Sequence, residues 1–355
     1  MSSTYYPLRM WQARSDVREA YSSLTSHIGP LSPKPAENLV IPCVLKRLQA
    51  GGWDHTKPGP HLAVLSQETQ GVLAWSEWAL NAKRIVCVAP ELTQAFLYSD
   101  CGDMCIEDVA PEARAQYVHF EMGDEAPILF SDSQVALEGA FVLYAHDTSL
   151  RIVLCGRPVA RLDVAHAWLE RYDLRIKAEH FGRPAQEAID VALADDLADL
   201  RNTAETMRQR GDVRSMASIP AADMLMSRMR ADHEAYRRAL PLILNTLAYL
   251  RIEPQDARLA WPPEAPERLV KQLDNELSPK AIERAHSKLW SLGHVPVTYI
   301  GGEFARTFQA PGHELRAHWR RGHWRRQAHG PQLSLRKLIW ISPMVIGGTG
   351  EEMPA

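Results

Sequence analysis

The sequence predicts an α+β protein with a mixed or antiparallel sheet, flanking helices, a central helical region and a C-terminal basic β-hairpin. Three observations predict it. Residues 137–156 (LEGAFVLYAHDTSLRIVLCG) hold two apolar runs around His146-Asp147-Thr148-Ser149, whose side chains satisfy a turn backbone. Residues 184–210 carry Ile189, Leu193, Leu197, Leu200, Ala204 and Met207 at spacings of four and three, the period of a helix. Residues 313–326, which end in HWRRGHWRR at 318–326, read as an extended basic stretch that Gly330-Pro331 separates from a second extended run at 336–341.

The remaining elements follow in chain order. Residues 36–50 read as a helix stopped by Gly51-Gly52. RIVCV at 84–88 is a strand, and Pro90 opens a short helix over 91–98. Residues 116–121 and 127–130 are extended pieces. In the first strand of the hairpin Ala140, Val142 and Tyr144 share one face and Phe141, Leu143 and Ala145 the other, so both faces are covered. Residues 162–172 read as a helix, and Pro184 opens the long helix that Gly211 closes. Residues 222–250 form another apolar stripe that Pro241 should kink or divide. Four prolines make 253–266 a connector, Ser278-Pro279 starts a helix ending at Gly293, and 295–300 is extended. The texture divides into an N-terminal α+β region at 1–160, a helical region at 161–294 and a hairpin region at 295–355.

Composition narrows the class. With 355 residues, 46% hydrophobic and 23% charged, the chain is long enough for a large core and unlike a disordered or fibrous protein. No run reaches the roughly 18 apolar residues of a membrane helix, so no membrane partner is expected. The N-terminus lacks a basic segment leading into an apolar one, so a cytoplasmic location is expected. Five cysteines are an odd set for a disulfide framework and read as free thiols. Cys101 and Cys105 would need Cys87 or His119 to complete a zinc site, and buried thiols are the simpler reading, so no cofactor or metal is expected.

Catalytic templates fail. His233-Glu234 is followed by Arg237 where a zinc protease needs histidine. Gly347-Gly348-Thr349-Gly350 lacks the lysine and helix of a phosphate loop, and there is no G-x-S-x-G elbow. Cys155 with His146 or His119 would be a thiol inside an apolar strand, where thiols are inert. His313, His318, His323 and His329 do not share one strand face. No enzyme is expected.

The net charge of −3 is uneven: residues 306–350 hold seven arginines and one lysine against Glu314 alone, a net +7 that leaves −10 on the remainder. A period of five would put Trp319 and Trp324 on opposite strand faces unless Gly322 is an extra, bulged residue. With that bulge Trp319 and Trp324 and the pairs Arg320-Arg321 and Arg325-Arg326 fall into phase on one broad face, and His323, Arg336 and Lys337 complete the candidate partner residues. Arginine beside tryptophan and histidine can clamp phosphates and stack on unpaired bases. The alternative is internal: the tryptophans pack on helices while the guanidinium groups stack on them or meet the acidic body.

Arg321-Gly322-His323-Trp324-Arg325, Gly330-Pro331, Ser334-Leu335-Arg336 and Ile339-Trp340-Ile341-Ser342-Pro343 together resemble the signature of a family of phage, plasmid and bacterial accessory proteins. That family includes an anti-CRISPR inhibitor directed against the type V-A effector nuclease. Residues 138–142 and 245–250 are similar as well, so the likeness spans 84–348. The resemblance implies a non-enzymatic binding protein of mobile-element type that recognises a polypeptide, nascent or ribosome-associated, and suppresses its expression. For such a partner, a groove between the helical region and the sheet would be lined by Tyr236, Tyr249 and Trp261. The other reading is an RNA- or DNA-binding regulator that works through the C-terminal Arg/Trp/His hairpin.

Overall fold

The computed structural model describes residues 5–27, 33–52, 61–111, 113–121, 128–130, 135–145, 148–158, 173–211, 229–275, 278–308 and 318–346, with a few positions between 219 and 227. Four helices come first: α1 Tyr6–Ala13, α2 Ser15–Thr25, α3 Pro33–Ala50 and α4 His61–Leu80. An eight-stranded sheet follows, built from β1 Arg84–Val88, β2 Ala115–Phe120, β3 Leu129–Phe130, β4 Val135–Ala145, β5 Ser149–Pro158, β6 Asp173–Lys177, β7 Arg258–Ala260 and β8 Val297–Ile300. Its order is β6-β5-β4-β2-β1-β8-β7, with β3 paired to β4. The sheet is mixed: β1 runs parallel to both β2 and β8, and the other pairings are antiparallel.

Strand alternation sorts the apolar residues into two cores, because successive side chains point to opposite faces. Ile85, Tyr117, Phe141 and Val153 join one cluster with Trp75 and Trp78 of α4, Val17 of α2 and Leu8 of α1. Val86, Val118, Val142 and Ile152 join the other. Helices cover this second face: α5 Pro90–Leu97, α6 Ile106–Val109, α7 Ala185–Arg210 and α8 His233–Ile252. Their contributions include Phe96, Ile106, Ile189, Leu193, Leu240, Ile243 and Leu247. The chain therefore stacks helices, sheet and helices, and the second core takes Val86, Leu240 and Trp324 from the three sequence regions 1–160, 161–294 and 295–355.

The 137–156 hairpin is present, with Ala145 opposite Ser149, and β4 is buried along all but its last residue. The long helix ends at Gly211, which adopts φ 64. Two expectations change. Pro241 lies inside α8, which neither divides there nor stops before Ile252. A proline removes one hydrogen bond from a helix, and the burial of Leu240, Leu242, Ile243 and Leu244 around it holds the helix together. The 253–266 connector contains β7, which pairs with β8 at the sheet edge between the flanking prolines. The helix expected at 162–172 lies outside the described residues, as does most of 212–228. Two further helices, α9 Glu267–Asn275 and α10 Pro279–Ser291, pack together before β8, and α11 Gly302–Phe308 follows it. Trp290 of α10 stacks on Trp11 at 4.7 Å between ring centroids, tying this pair to the first helical layer. Among the described residues no helix is long and apolar enough to cross a membrane.

A buried charge network fixes the first layer. Arg14 bonds Asp16 and, at 2.9 Å, Glu68, while Arg47 bonds the same two carboxylates at 3.1 and 2.7 Å. Arg14, Asp16 and Glu68 are all buried. Each carboxylate serves two guanidinium groups, so the charges compensate only as a set. Asp16→Ala leaves both arginines short of a partner and is expected to cost about 3–5 kcal/mol, read as a fall in the urea midpoint.

Candidate functional site

Four short strands close the described chain: β9 His318–Arg320, β10 His323–His329, β11 Leu335–Ile341 and β12 Met344–Ile346. β10 pairs with β11 and β9 with β12, all antiparallel. The two halves of HWRRGHWRR therefore sit in separate two-stranded ladders, not on one broad face. Gly322 is the break between them and not a bulge within one strand. It bridges Ser99, where a Cβ would run into the Ser99 hydroxyl and the Pro343 ring. Trp319 and Arg320 lie in β9 opposite Val345 and Met344.

The β10–β11 hairpin is fastened to the body along the 98–103 loop. The Gly322 N–H donates to the Tyr98 carbonyl at 3.0 Å, and the Asp100 N–H donates to the Gly322 carbonyl at 3.1 Å. The Asp103 N–H reaches the Trp324 carbonyl at 3.4 Å, and Gly102, at φ 50, has no room for a Cβ against the Trp324 backbone. Arg326 donates to Asp108 at 2.6 Å and to the Asp103 carbonyl.

Cross-strand register assigns each side chain to a face. Trp324 lies opposite Trp340, Arg326 opposite Leu338 and Ala328 opposite Arg336. This inner set meets the core: Trp324 is 1% exposed, and Leu338 and Trp340 pack against the same cluster. The Trp324 indole N–H donates to the Asn245 Oδ1 at 2.8 Å, and Trp340 packs on Phe96, Tyr249, Phe304 and Trp324. The outer set pairs His323 with Ile341, Arg325 with Ile339, Gln327 with Lys337 and His329 with Leu335. Arg325, Gln327, His329, Leu335 and Lys337 are exposed, and Ile339 and Ile341 are half-buried.

Trp324 and Arg326 thus leave the predicted partner surface, since the hairpin turns that face toward α5, α6 and α8. Arg321, Arg325, Arg336 and Lys337 remain exposed, and among the described residues no carboxylate pairs with them. Arg325 bonds Gln327, and Arg336 bonds the Leu333 and Leu335 carbonyls. The hairpin tip adds two exposed leucines, Leu333 at 62% and Leu335 at 53%. Gln332 and Leu333 both adopt positive φ, 51 and 56, a conformation unfavourable for a leucine. Sequence reasoning missed this apolar column of Leu335, Ile339 and Ile341. Its signal was the alternation within 335–341, which becomes readable only when the face turned to the body is known.

The aromatic groove does not form. Tyr236 and Tyr249 are core residues, each 5% exposed, because α8 is buried against α5 and the sheet face. Tyr236 packs on Phe130, and the Tyr249 hydroxyl donates to Asp256 at 2.9 Å. Trp261 is half-buried at the far sheet edge beside His286.

The thiols and His119 are placed as follows. Cys101 is buried, which pushes its thiol up to about 12, and Cys105 caps α6. Cys87 and His119 are neighbours on β1 and β2, and Cys87 lies against Glu121. Among the described residues no group of three or more His, Cys, Asp or Glu side chains is arranged to hold a metal ion. Burial, with Arg9 and Arg157 nearby, lowers His119 to about 3.

Fold and site together define an α+β protein that presents a cationic, partly apolar β-hairpin on a rigid mount. A family model described as the AcrVA2-like, anti-CRISPR type V subtype A2 family matches residues 42–348, and the chain belongs to that family. Among solved structures, a crystal structure of AcrVA2 matches at 12% identity over 94% of each chain, with a TM-score of 0.42. No curated protein matches.

The two faces of the hairpin should respond differently to truncation. Trp324→Ala is expected to cost about 3–5 kcal/mol, whereas Lys337→Ala should stay within about 0.5 kcal/mol, both by chemical denaturation. His119 gives a pH signature. Its folded value lies below the unfolded value of about 6.5, so the unfolded state takes up a proton first and stability falls as pH drops from about 6.5 toward 3. The slope reaches about 1.4 kcal/mol per pH unit, and His119→Gln should flatten it over that window.

Proposed function

We propose that this chain is a non-catalytic inhibitor of a type V-A CRISPR system that holds a segment of the effector polypeptide, at the nascent stage, and so suppresses its expression. Membership of the anti-CRISPR family supports the system. The observation that carries the binding mode is the hairpin: its inner face is tied into the core through Trp324, Gly322 and Arg326, and its outer face is left for a partner. A rigid mount lowers the ordering cost of holding a flexible chain.

The unpaired cations favour one second reading, RNA as the partner of the same hairpin. The first reading has the stronger support, because base stacking needs exposed rings and Trp324 and Trp340 both point inward.

The test is co-expression with a type V-A effector nuclease, following effector protein and message. The chain should lower effector protein several-fold for the native reading frame and leave untouched a message frameshifted over its first codons, which alters the peptide and almost none of the RNA. Equal suppression of both messages would reject polypeptide recognition in favour of RNA. No suppression of either would reject the inhibitor reading.

A further inference from the structure

We infer that the outer face of the β10–β11 hairpin is the surface that holds the polypeptide, and that its occupant is an acidic amphipathic helix. This rests on the polypeptide-binding reading above. The face has two columns. His323, Arg325, Gln327 and His329 stand on β10, and Ile341, Ile339, Lys337 and Leu335 stand opposite them on β11. The second core takes Leu338 and Trp340 from β11 and not Leu335, Ile339 or Ile341. Two-stranded ladders are marginal alone and are normally covered by a further layer. Here the inner face is covered by the body, whereas on the outer face Arg325, Gln327, His329, Leu335 and Lys337 are exposed.

Charge complementarity selects the occupant. Arg325 and Lys337 lie diagonally across the face, exposed and without a carboxylate among the described residues. Residues 318–346 contain no aspartate or glutamate at all. A purely apolar partner would bury these two charges unpaired, which is costly. A nucleic acid would set its phosphates against Leu335, Ile339 and Ile341, and would find on this face the imidazoles of His323 and His329 but neither Trp324 nor Trp340, which turn inward. A helix with one apolar stripe and flanking carboxylates satisfies both columns, with the stripe on the β11 isoleucines and the acids toward Arg325 and Lys337. Seven strand residues span roughly 20 Å at the usual rise, a length matched by about 14 helical residues. Leu333, exposed in a left-handed conformation, lies in the turn two residues before Leu335.

The experiment uses the full chain and fluorescein-labelled synthetic helices of about 14 residues, one with a leucine stripe flanked by glutamates and one with the same stripe flanked by lysines. A duplex RNA stem and a single-stranded RNA serve as competing probes. The wild-type protein should bind the glutamate peptide at least about tenfold more tightly than the lysine peptide. Arg325→Glu combined with Lys337→Glu should reverse that preference, and Ile339→Asn should weaken both peptides with the fold intact by circular dichroism. An unchanged preference in the double variant, RNA binding in place of peptide binding, or a dimer in sedimentation that hides Ile339 would each overturn the assignment. The same variants go into the co-expression assay. Suppression by wild type without peptide preference sinks this surface and leaves the functional reading. The predicted peptide behaviour without any suppression does the reverse.

Discussion

Asn245 is the joint on which the hairpin depends. Its side chain is fully buried in α8, and its amide donates to the carbonyls of Phe96 and Ser99 at 3.2 and 3.3 Å while its oxygen accepts from the Trp324 indole. One side chain thus satisfies the end of α5, orients the loop that the hairpin leans on, and fixes the ring at the hairpin's centre. Buried amides are expensive when unpaired, so three bonds converging on one residue hold three elements in a single arrangement. With Trp324 placed, alternation along β10 and β11 dictates every other side chain of the ladder, and the outer face follows without further choice.

The mount works because the body beneath it is stiff. Close-packed cores lie on both faces of the mixed sheet, and the Arg14–Asp16–Glu68–Arg47 network and the Trp11–Trp290 stack bind the first helical layer into one unit. Gly102 and Gly322 let the backbone of the hairpin approach the 98–103 loop more closely than any side chain permits. The basic tail is therefore neither a solvated extension nor wholly consumed by the acidic body: Arg326 is paired inward, and Arg325 and Lys337 face out.

Much of this fold is legible in the residues. The apolar runs on either side of 146–149 form β4 and β5 with Ala145 opposite Ser149, and Gly211 and Gly293 mark helix ends by their need for positive φ. Other features depend on long-range context. Helix α4 carries apolar side chains around much of its circumference, so it shows no clean stripe, and β7 is three residues set among prolines. Tyr236 and Tyr249 resemble groove residues until the burial of α8 is known, and Trp324 resembles a stacking platform until one face of its strand is turned inward. Local pattern reports which residues share a face, and only the tertiary arrangement decides which face meets water.

In this member of the anti-CRISPR family the β10–β11 hairpin is fastened to the body through Trp324, Gly322 and Arg326. The Trp324–Asn245 bond locks the hairpin to the core, and hydrogen exchange at the Trp324 indole N–H measures how firmly. This proton should exchange only with global unfolding, as slowly as the central amides of β4. Exchange at the rate of an exposed indole would show a hairpin that swings free of the body, and would contradict that lock.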